Sequence, residues 1–577
     1  MGKIRSFLAS GNSKVILFVV SIIASAVFGI IFLNKNTMTT AFHKTAFYAI
    51  FVAFFSWIYV MLLLPEAKKD ILIGHLKNRI VPLSLALALT IGAFSTSPCK
   101  FRILADETNL LGMASAMYDF HEFYNPTQVL YYYEGITNVI SKEYDKRPVV
   151  FPFLVYLAHT AFGYSENNGF VVNGICFFLL LFAFYLLLER FFSRFLAMTG
   201  MVLLAAFPLV ILWVTSCGFE IPNLLFAVLV FLAFERFLEK KSAIYAEFLL
   251  ITLLILSQVR YESAIFALII FPFIPFMLPK SEYENLSWRV AFIPPFFLPI
   301  VWQRLTSWGQ ALFQMEGDKP PFSTIWLAQN LKYAWQFFTG EKTNYGMIPI
   351  LFDAAIAGFL LAVVLMVIRR KQISWKNYSV SLSAITIVFL NCAVLFLYYW
   401  GNLTLQYAIR LGLLFVPFLV CSVIYLLDFL SENGIKYRKQ ILVASVFLIF
   451  YFWPRAGING SVREILLFRE FAEVTRFLKN NYKSRQILII SDRSNLYTPL
   501  RYSSVNYGYA VNNVEGVKIN VNYRLYPEAL AIQRIKYSDG LTVPETDPGK
   551  AYELETLYES QLSESEKLRI SKVKSVK

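Results

Sequence analysis

The sequence predicts an all-α polytopic membrane protein of about 13 transmembrane helices, followed by a small extracytoplasmic α/β domain at the C-terminus. Three observations lead there. Of 577 residues, 57% are hydrophobic and only 16% charged, and the mean hydropathy is +0.54, whereas soluble domains sit nearer a quarter charged. The apolar residues fall in blocks close to the ~20 needed to cross a bilayer. Basic residues then crowd into every second connection between those blocks, which is the mark of cytoplasmic loops.

Taken in order, the candidate spans are 15–33, 46–64, 80–97, 170–188, 195–215, 221–238, 243–258, 263–278, 288–302, 348–368, 378–398, 411–427 and 440–453. The first is longer than a leader's apolar core and is followed by further spans, so it reads as a membrane helix. With the N-terminus inside, the inner connections hold Lys3, Arg5 and Lys14; Lys68, Lys69, Lys77 and Arg79; and Arg190 and Arg194. They continue with Arg236, Lys240 and Lys241; Lys280 and Arg289; Arg369, Arg370, Lys371 and Lys376; and Lys436, Arg438 and Lys439. The short outer connections carry little more than Lys35, Lys44 and Arg410. An odd number of spans then leaves the tail outside.

This divides the chain into a two-helix extension (1–79), a membrane domain (80–454) with polar outer loops at 98–148 and 303–346, and an outer domain (455–577). In the outer domain 462–482 has helical apolar spacing, 486–491 is a buried-strand run and 497–511 is aromatic and strand-like. Beyond Thr542 the Glu/Ser/Lys-rich sequence reads as an amphipathic helix or a loose end. No solenoid repeat appears, and no inverted pair of Gly/Pro-broken helices points to a secondary transporter.

Several classes drop out. The net charge of +15 and pI near 9.3 are accounted for by inner loops and contact with membrane lipids. Without a zinc-finger spacing or an RNA-binding signature, nucleic acid is not an expected partner. The five cysteines and four histidines are scattered singly, with no metal spacing. Neither GxxxxGK[ST], GxGxxG nor a DxD motif is present, so nucleotide-driven chemistry lacks its phosphate loop. Any activated substrate is expected to arrive dissolved in the membrane.

Chemistry-bearing residues collect on the outer side. Asp106 and Glu107 open an apolar-spaced segment directly after the third span. A carboxylate fixed there could serve as general base on a hydroxyl acceptor; equally, acids in a first turn complement the helix dipole. Lys146 and Arg147 close the same loop, ahead of a Pro-punctuated segment at 149–162 too short to span and suited to the interface. They could hold a lipid phosphate or simply snorkel to headgroups. Arg260 and Glu262 share one outer turn, Glu220 stands in another, and Tyr407 and Arg410 in a third. Ionisable groups at membrane depth are costly, so their convergence on one face suits a site.

This layout comprises an acidic Asp106-Glu107 pair, a closing Lys146-Arg147-Pro148 segment, acid-bearing turns, an outward Arg410 and a C-terminal outer domain. It resembles the integral-membrane GT-C glycosyltransferases that use polyprenyl-phosphate sugars. The nearest likeness is to protein O-mannosyltransferases and the lipid A aminoarabinose transferase. The resemblance implies a bacterial inner-membrane enzyme with a cytoplasmic N-terminus and a periplasmic or extracellular C-terminal domain. Its donor would be a polyprenyl-phosphate-linked sugar and its acceptor a lipid-linked glycan, lipopolysaccharide or protein, with inversion. It implies Asp106 as the base, Glu107 as its neighbour, and Lys146, Arg147, Arg260 and Arg410 as phosphate contacts. Glu220, Glu262 and Tyr407 are assigned to substrate. No cofactor is required, although a divalent ion beside Asp106 is compatible with the reading. Two rivals are an O-antigen-type polymerase, which would centre essential arginines in a large outer loop, and a lipid-glycan flippase, which would place charges in mid-span.

Overall fold

The computed structural model describes residues 11–68, 74, 77–132, 136–307, 320–340, 348–368, 374–405, 407–433, 437–459, 465–522, 525–538 and 540–577. Lys3, Arg5, Lys69, Arg369, Arg370, Lys371 and Lys436, assigned above to inner connections, lie outside these residues. The chain forms two compact units.

The larger unit, residues 1–102, 146–154 and 169–461, is helical and is that of an integral membrane protein. Among the described residues, seven helices are long and apolar enough to cross a bilayer, and an eighth span is obtained by counting Arg194–Ala206 and Pro208–Val214 together. The sequence reading counted thirteen. Of the other expected spans, 80–97 and 243–258 form apolar helices of 17 and 15 residues, and others are broken. Pro208 breaks 195–215 into two helices bent by 68°, because a proline ring forces the preceding Phe207 out of the helical region. Proline also divides 288–302 into Arg289–Phe292, Pro294–Phe297 and Leu298–Ser307. The span expected at 263–278 is split into Ala264–Ile270 and Phe273–Met277.

Position within the helical unit follows sequence. Ser13–Ile31 and Pro349–Ile368 bury only 6% and 11% of their apolar windows, whereas Glu220–Lys240 buries 83%. The first two are apolar all round and suited to lipid; the last is the core helix, and it carries Glu220 at its N-terminus. Two cations expected in inner connections are met by buried acids: Lys376 Nζ lies 2.8 Å from Glu235 and Arg289 Nε 2.5 Å from Glu247. Of the 303–346 loop, positions 308–319 and 341–347 lie outside the described residues. The rest holds the amphipathic helix Leu327–Phe338. Its Asn330 donates to the carbonyls of Phe396 and Tyr398 at 3.0 and 2.7 Å, capping the helix Trp375–Leu397.

The smaller unit comprises residues 103–145, 155–168 and 462–577. The first outer loop is not an independent loop but part of the C-terminal domain. It supplies the helix Leu104–Phe120 and the hairpin β1 (Asn125–Tyr131) and β2 (Thr137–Glu143). The tail adds β3 (Ile487–Ile490), β4 (Ser503–Val505), β5 (Glu528–Lys536), β6 (Tyr552–Gln561) and β7 (Glu566–Val576). The seven strands form one sheet in the order β2-β1-β4-β3-β5-β7-β6. The centre is parallel, β3 pairing with β4 at Ile489↔Ser504 and with β5 at Ile489↔Leu530. The loop hairpin joins by the antiparallel contact Val129↔Ser504.

Two local expectations change. The segment beyond Thr542 forms the β6–β7 hairpin rather than a helix or loose end. Leu568, Ile570, Val573 and Val576 are buried, and its charges pair across strands, Arg569 and Lys567 both reaching Glu559 at 2.6 and 2.8 Å. The aromatic run 497–511 holds only the short strand β4, flanked by a 3-10 turn at Thr498–Leu500 and the helix Tyr507–Asn512. Its tyrosines face the core rather than alternating along a strand: Tyr497 and Tyr502 are buried, and Tyr507 packs in the sheet's apolar cluster. The helix expected at 462–482 and the strand at 486–491 are present as Ile465–Asn481 and β3.

Candidate functional site

In the helical unit three chain segments bring charge to one cavity. Glu220 is the first residue of Glu220–Lys240, Arg260 precedes the turn Tyr261–Ser263, and Arg410 belongs to the 3-10 helix Ile409–Phe415. Glu220 Oε1 lies 3.4 Å from Arg410 Nη1 and 3.9 Å from Arg260 Nη1. Arg260 also grips Glu262 with two nitrogens, at 3.1 and 3.3 Å. The Phe219 ring lies beneath both guanidinia, its centroid 5.0 Å from Arg260 Cζ and 5.9 Å from Arg410 Cζ. These four charged residues line a cavity of about 570 Å³ with its open mouth included, together with Asn223, Asn391 and Tyr398.

Sequence explains this local geometry. Gly218 leaves room for the Glu220 carboxylate, since a Cβ there would meet Glu220 Oε2. Ser263 donates to Asn223 Oδ1 at 2.6 Å, tying the Arg260 turn to the Glu220 helix. Arg260 and Glu220 are only 8% and 3% exposed, so their charges are sustained by one another. Two guanidinium forks against two carboxylates leave the cavity close to neutral. A tetrahedral anion entering it would meet fixed donors from two segments in a medium where a unit pair at 4 Å interacts by roughly 4 kcal/mol.

The other assigned residues of this unit group separately. Lys146 Nζ lies 5.5 Å from the Trp400 ring centroid, and the Trp400 and Tyr407 rings lie 5.5 Å apart. Trp400 lies 6.5 Å from the Tyr398 ring, and Tyr398 lines the cavity. Tyr407 itself is exposed and is not among the residues lining the cavity. Arg147 is half-buried, its carbonyl accepting from Gln303 Nε2 at 2.5 Å.

In the smaller unit Asp106 and Glu107 occupy the first turn of Leu104–Phe120. Glu107 is buried and accepts the Ile103 N–H at 3.0 Å, so it closes the helix end. Asp106, half-buried, stands beside it. One turn on, Asn109 donates to Asp145 Oδ2 at 3.0 Å and accepts from Asn495 Nδ2 at 3.3 Å. Among the described residues no group of three or more His, Cys, Asp or Glu side chains is placed to hold a metal ion.

Some residues escaped the sequence reading. Arg304 lies over the Tyr261 ring at 3.9 Å, beside the Arg260 turn; it stood at the start of a polar gap, where an arginine carries no signal. Arg102 is fully buried and donates to Leu212 O and Thr215 Oγ1 at 3.2 and 2.9 Å, at the C-terminal end of Pro208–Val214. In the smaller unit Arg501 forms a bidentate pair with Asp119 and lies 3.8 Å from the Tyr164 ring centroid. Tyr164 stacks in turn on His159. Burial, with Arg501's charge second, pushes the His159 pKa down to about 4. Asp119 and Arg501 are 382 positions apart, and one sequence offers nothing that pairs them.

The resemblance drawn from sequence is met by comparison with known families. Residues 146–297 match the family described as dolichyl-phosphate-mannose-protein mannosyltransferase. That segment contains Lys146, Arg147, Glu220, Arg260 and Glu262. Among solved structures, ArnT from Cupriavidus metallidurans bound to undecaprenyl phosphate is similar over 86% of this chain and 98% of its own, at 11% identity and a TM-score of 0.46. The Archaeoglobus fulgidus oligosaccharyltransferase in complex with Zn and sulfate is similar over 80% and 72%, at 12% identity and the same TM-score of 0.46. Neither likeness assigns a role to a residue here. No curated protein matches the chain in sequence.

Proposed function

We propose that this protein is a membrane glycosyltransferase that moves a sugar from a polyprenyl-phosphate donor to a lipid-linked glycan, lipopolysaccharide or protein acceptor. The setting is the outer face of a bacterial inner membrane, with the N-terminus cytoplasmic, thirteen crossings as read from the sequence, and the sheet domain outside. The carrying observation is the Arg260–Glu220–Arg410 cluster lining one cavity, most of it inside the mannosyltransferase-family segment.

The chemistry follows from where charge develops. The acceptor hydroxyl loses its proton to Asp106 as its oxygen bonds to the anomeric carbon. The bond from that carbon to the phosphate oxygen breaks, inverting the centre, and polyprenyl phosphate leaves. Arg260 and Arg410 hold the phosphate as its negative charge grows, with Lys146 and Arg147 as further cations. Glu220 and Glu262 keep the guanidinia oriented, and Tyr407 contacts substrate.

The test is transfer by the purified protein in lipid nanodiscs with a panel of polyprenyl-phosphate sugars and polyprenyl-diphosphate glycans. Turnover with the monophosphate donors supports the reading. Turnover confined to diphosphate-linked glycans would replace it with a polymerase.

A further inference from the structure

The helix carrying Asp106 is held by a hydrogen-bonded chain that the proposed chemistry does not use. Asn495, in the turn Ser494–Leu496, donates through Nδ2 to Asn109 Oδ1 at 3.3 Å. Asn109 donates in turn to Asp145 Oδ2 at 3.0 Å. Asn109 and Asp145 are 9% and 6% exposed, so both of Asn109's hydrogen-bonding ends are committed in a buried setting, where leaving either unmet is costly. Asn109 lies three residues after Asp106, and residues three apart on a helix share a face.

The turn that supplies Asn495 is itself anchored. Ser494 Oγ donates to Thr127 O at 2.7 Å, and Thr498 Oγ1 to Pro126 O at 2.9 Å. Both acceptors belong to β1. The same helix approaches β1 so closely at Gly112 that a Cβ there would collide with Asn125 Oδ1. Asp145 is the residue immediately before Lys146 in the chain. The Asn109–Asp145 bond therefore ties the helix bearing Asp106 to the segment that follows β2.

Resting on the reading of Asp106 as the base, we infer that Asn109, Asp145 and Asn495 are positioning residues that set the aim of Asp106, and that the C-terminal domain thereby takes part in the transfer step. Their loss should act on the rate of the chemical step rather than on donor capture, because misplacement of a reacting group by about 1 Å costs up to 100-fold.

Asn109→Ala, Asn495→Ala, Asp145→Ala and Asp145→Asn are compared in the full-length protein in nanodiscs. Asn109→Ala and Asp145→Ala should lower kcat by about 10–100-fold while moving the donor KM by less than about threefold. Asp145→Asn keeps an acceptor oxygen for Asn109 and should return most of the rate. Asn109→Ala combined with Asn495→Ala should be no slower than Asn109→Ala alone, as expected of residues acting in one chain. Amide exchange over 107–111 should quicken in Asn109→Ala and Asn495→Ala. Wild-type kcat in Asn109→Ala, an effect on KM alone, or Asp145→Asn as slow as Asp145→Ala would overturn the inference. If the wild-type protein moves no sugar, the proposed function fails instead, and the exchange measurement decides this inference: unaltered exchange over 107–111 in both asparagine variants sinks it.

Discussion

Glu220 Oε1 stands 3.4 Å from Nη1 of Arg410, the first residue of the core helix facing a 3-10 helix 190 positions later in the chain. The same oxygen lies 3.9 Å from Arg260 Nη1. One buried carboxylate thus occupies the space between two guanidinia that a phosphate oxygen would use. It pairs with both arginines, and it would oppose an anion entering the cavity.

That opposition predicts a gain from a loss. Glu220→Gln keeps the shape and an acceptor oxygen but removes one negative charge. Affinity for undecaprenyl phosphate should rise by roughly tenfold, a fraction of the ~4 kcal/mol that a unit pair at this range carries before competing interactions. Titration of the purified variant checks this, and turnover should fall as product release slows.

Arg410→Lys should weaken the same ligand. A lysine preserves the charge but loses the planar fork that grips two oxygens. The expected result is a donor KM raised by about 10-fold or more, the scale of one charged hydrogen bond, with the variant folding normally. Gly218→Ala tests the geometry from the other side: its Cβ collides with Glu220 Oε2, so Glu220 is displaced and activity should fall although no charged residue has changed.

His159 predicts a pH dependence in the sheet domain. Its folded pKa is about 4 against an ordinary value near 6.5, so the unfolded chain binds the proton more readily. The histidine is no burden above pH 6.5, and stability falls as pH drops from there toward 4, by roughly 3 kcal/mol in total. Thermal unfolding of the sheet domain within the intact protein should shift down between pH 7 and pH 5, and His159→Gln should reduce the shift.

How much of this was legible in the sequence depends on the range of the interactions. Spans are local properties, so the apolar helices could be read directly, and the convergence expected of the turns carrying Glu220, Arg260 and Arg410 is met in one cavity. The breaks within 195–215 and 288–302 were not legible because hydropathy sums composition and ignores the missing N–H of Pro208, Pro294 and Pro295. The joining of β1 to β4 through Val129↔Ser504 spans most of the chain, and no periodicity reveals it. The β6–β7 hairpin was missed because its cross-strand charges read as solvated polarity. Within the site, the acidic first turn was visible, but which acid capped the helix was not: the choice rests on the rotamer that turns Glu107 back to Ile103.

The most direct measurement is sugar transfer from polyprenyl-phosphate donors by Asp106→Asn in nanodiscs, beside the wild-type protein. The substitution is isosteric and leaves the Glu107 cap intact. Transfer should fall by at least 10²-fold, the scale of a lost general base, while undecaprenyl phosphate binding and thermal stability stay at wild-type levels. Undiminished transfer by Asp106→Asn would contradict the account.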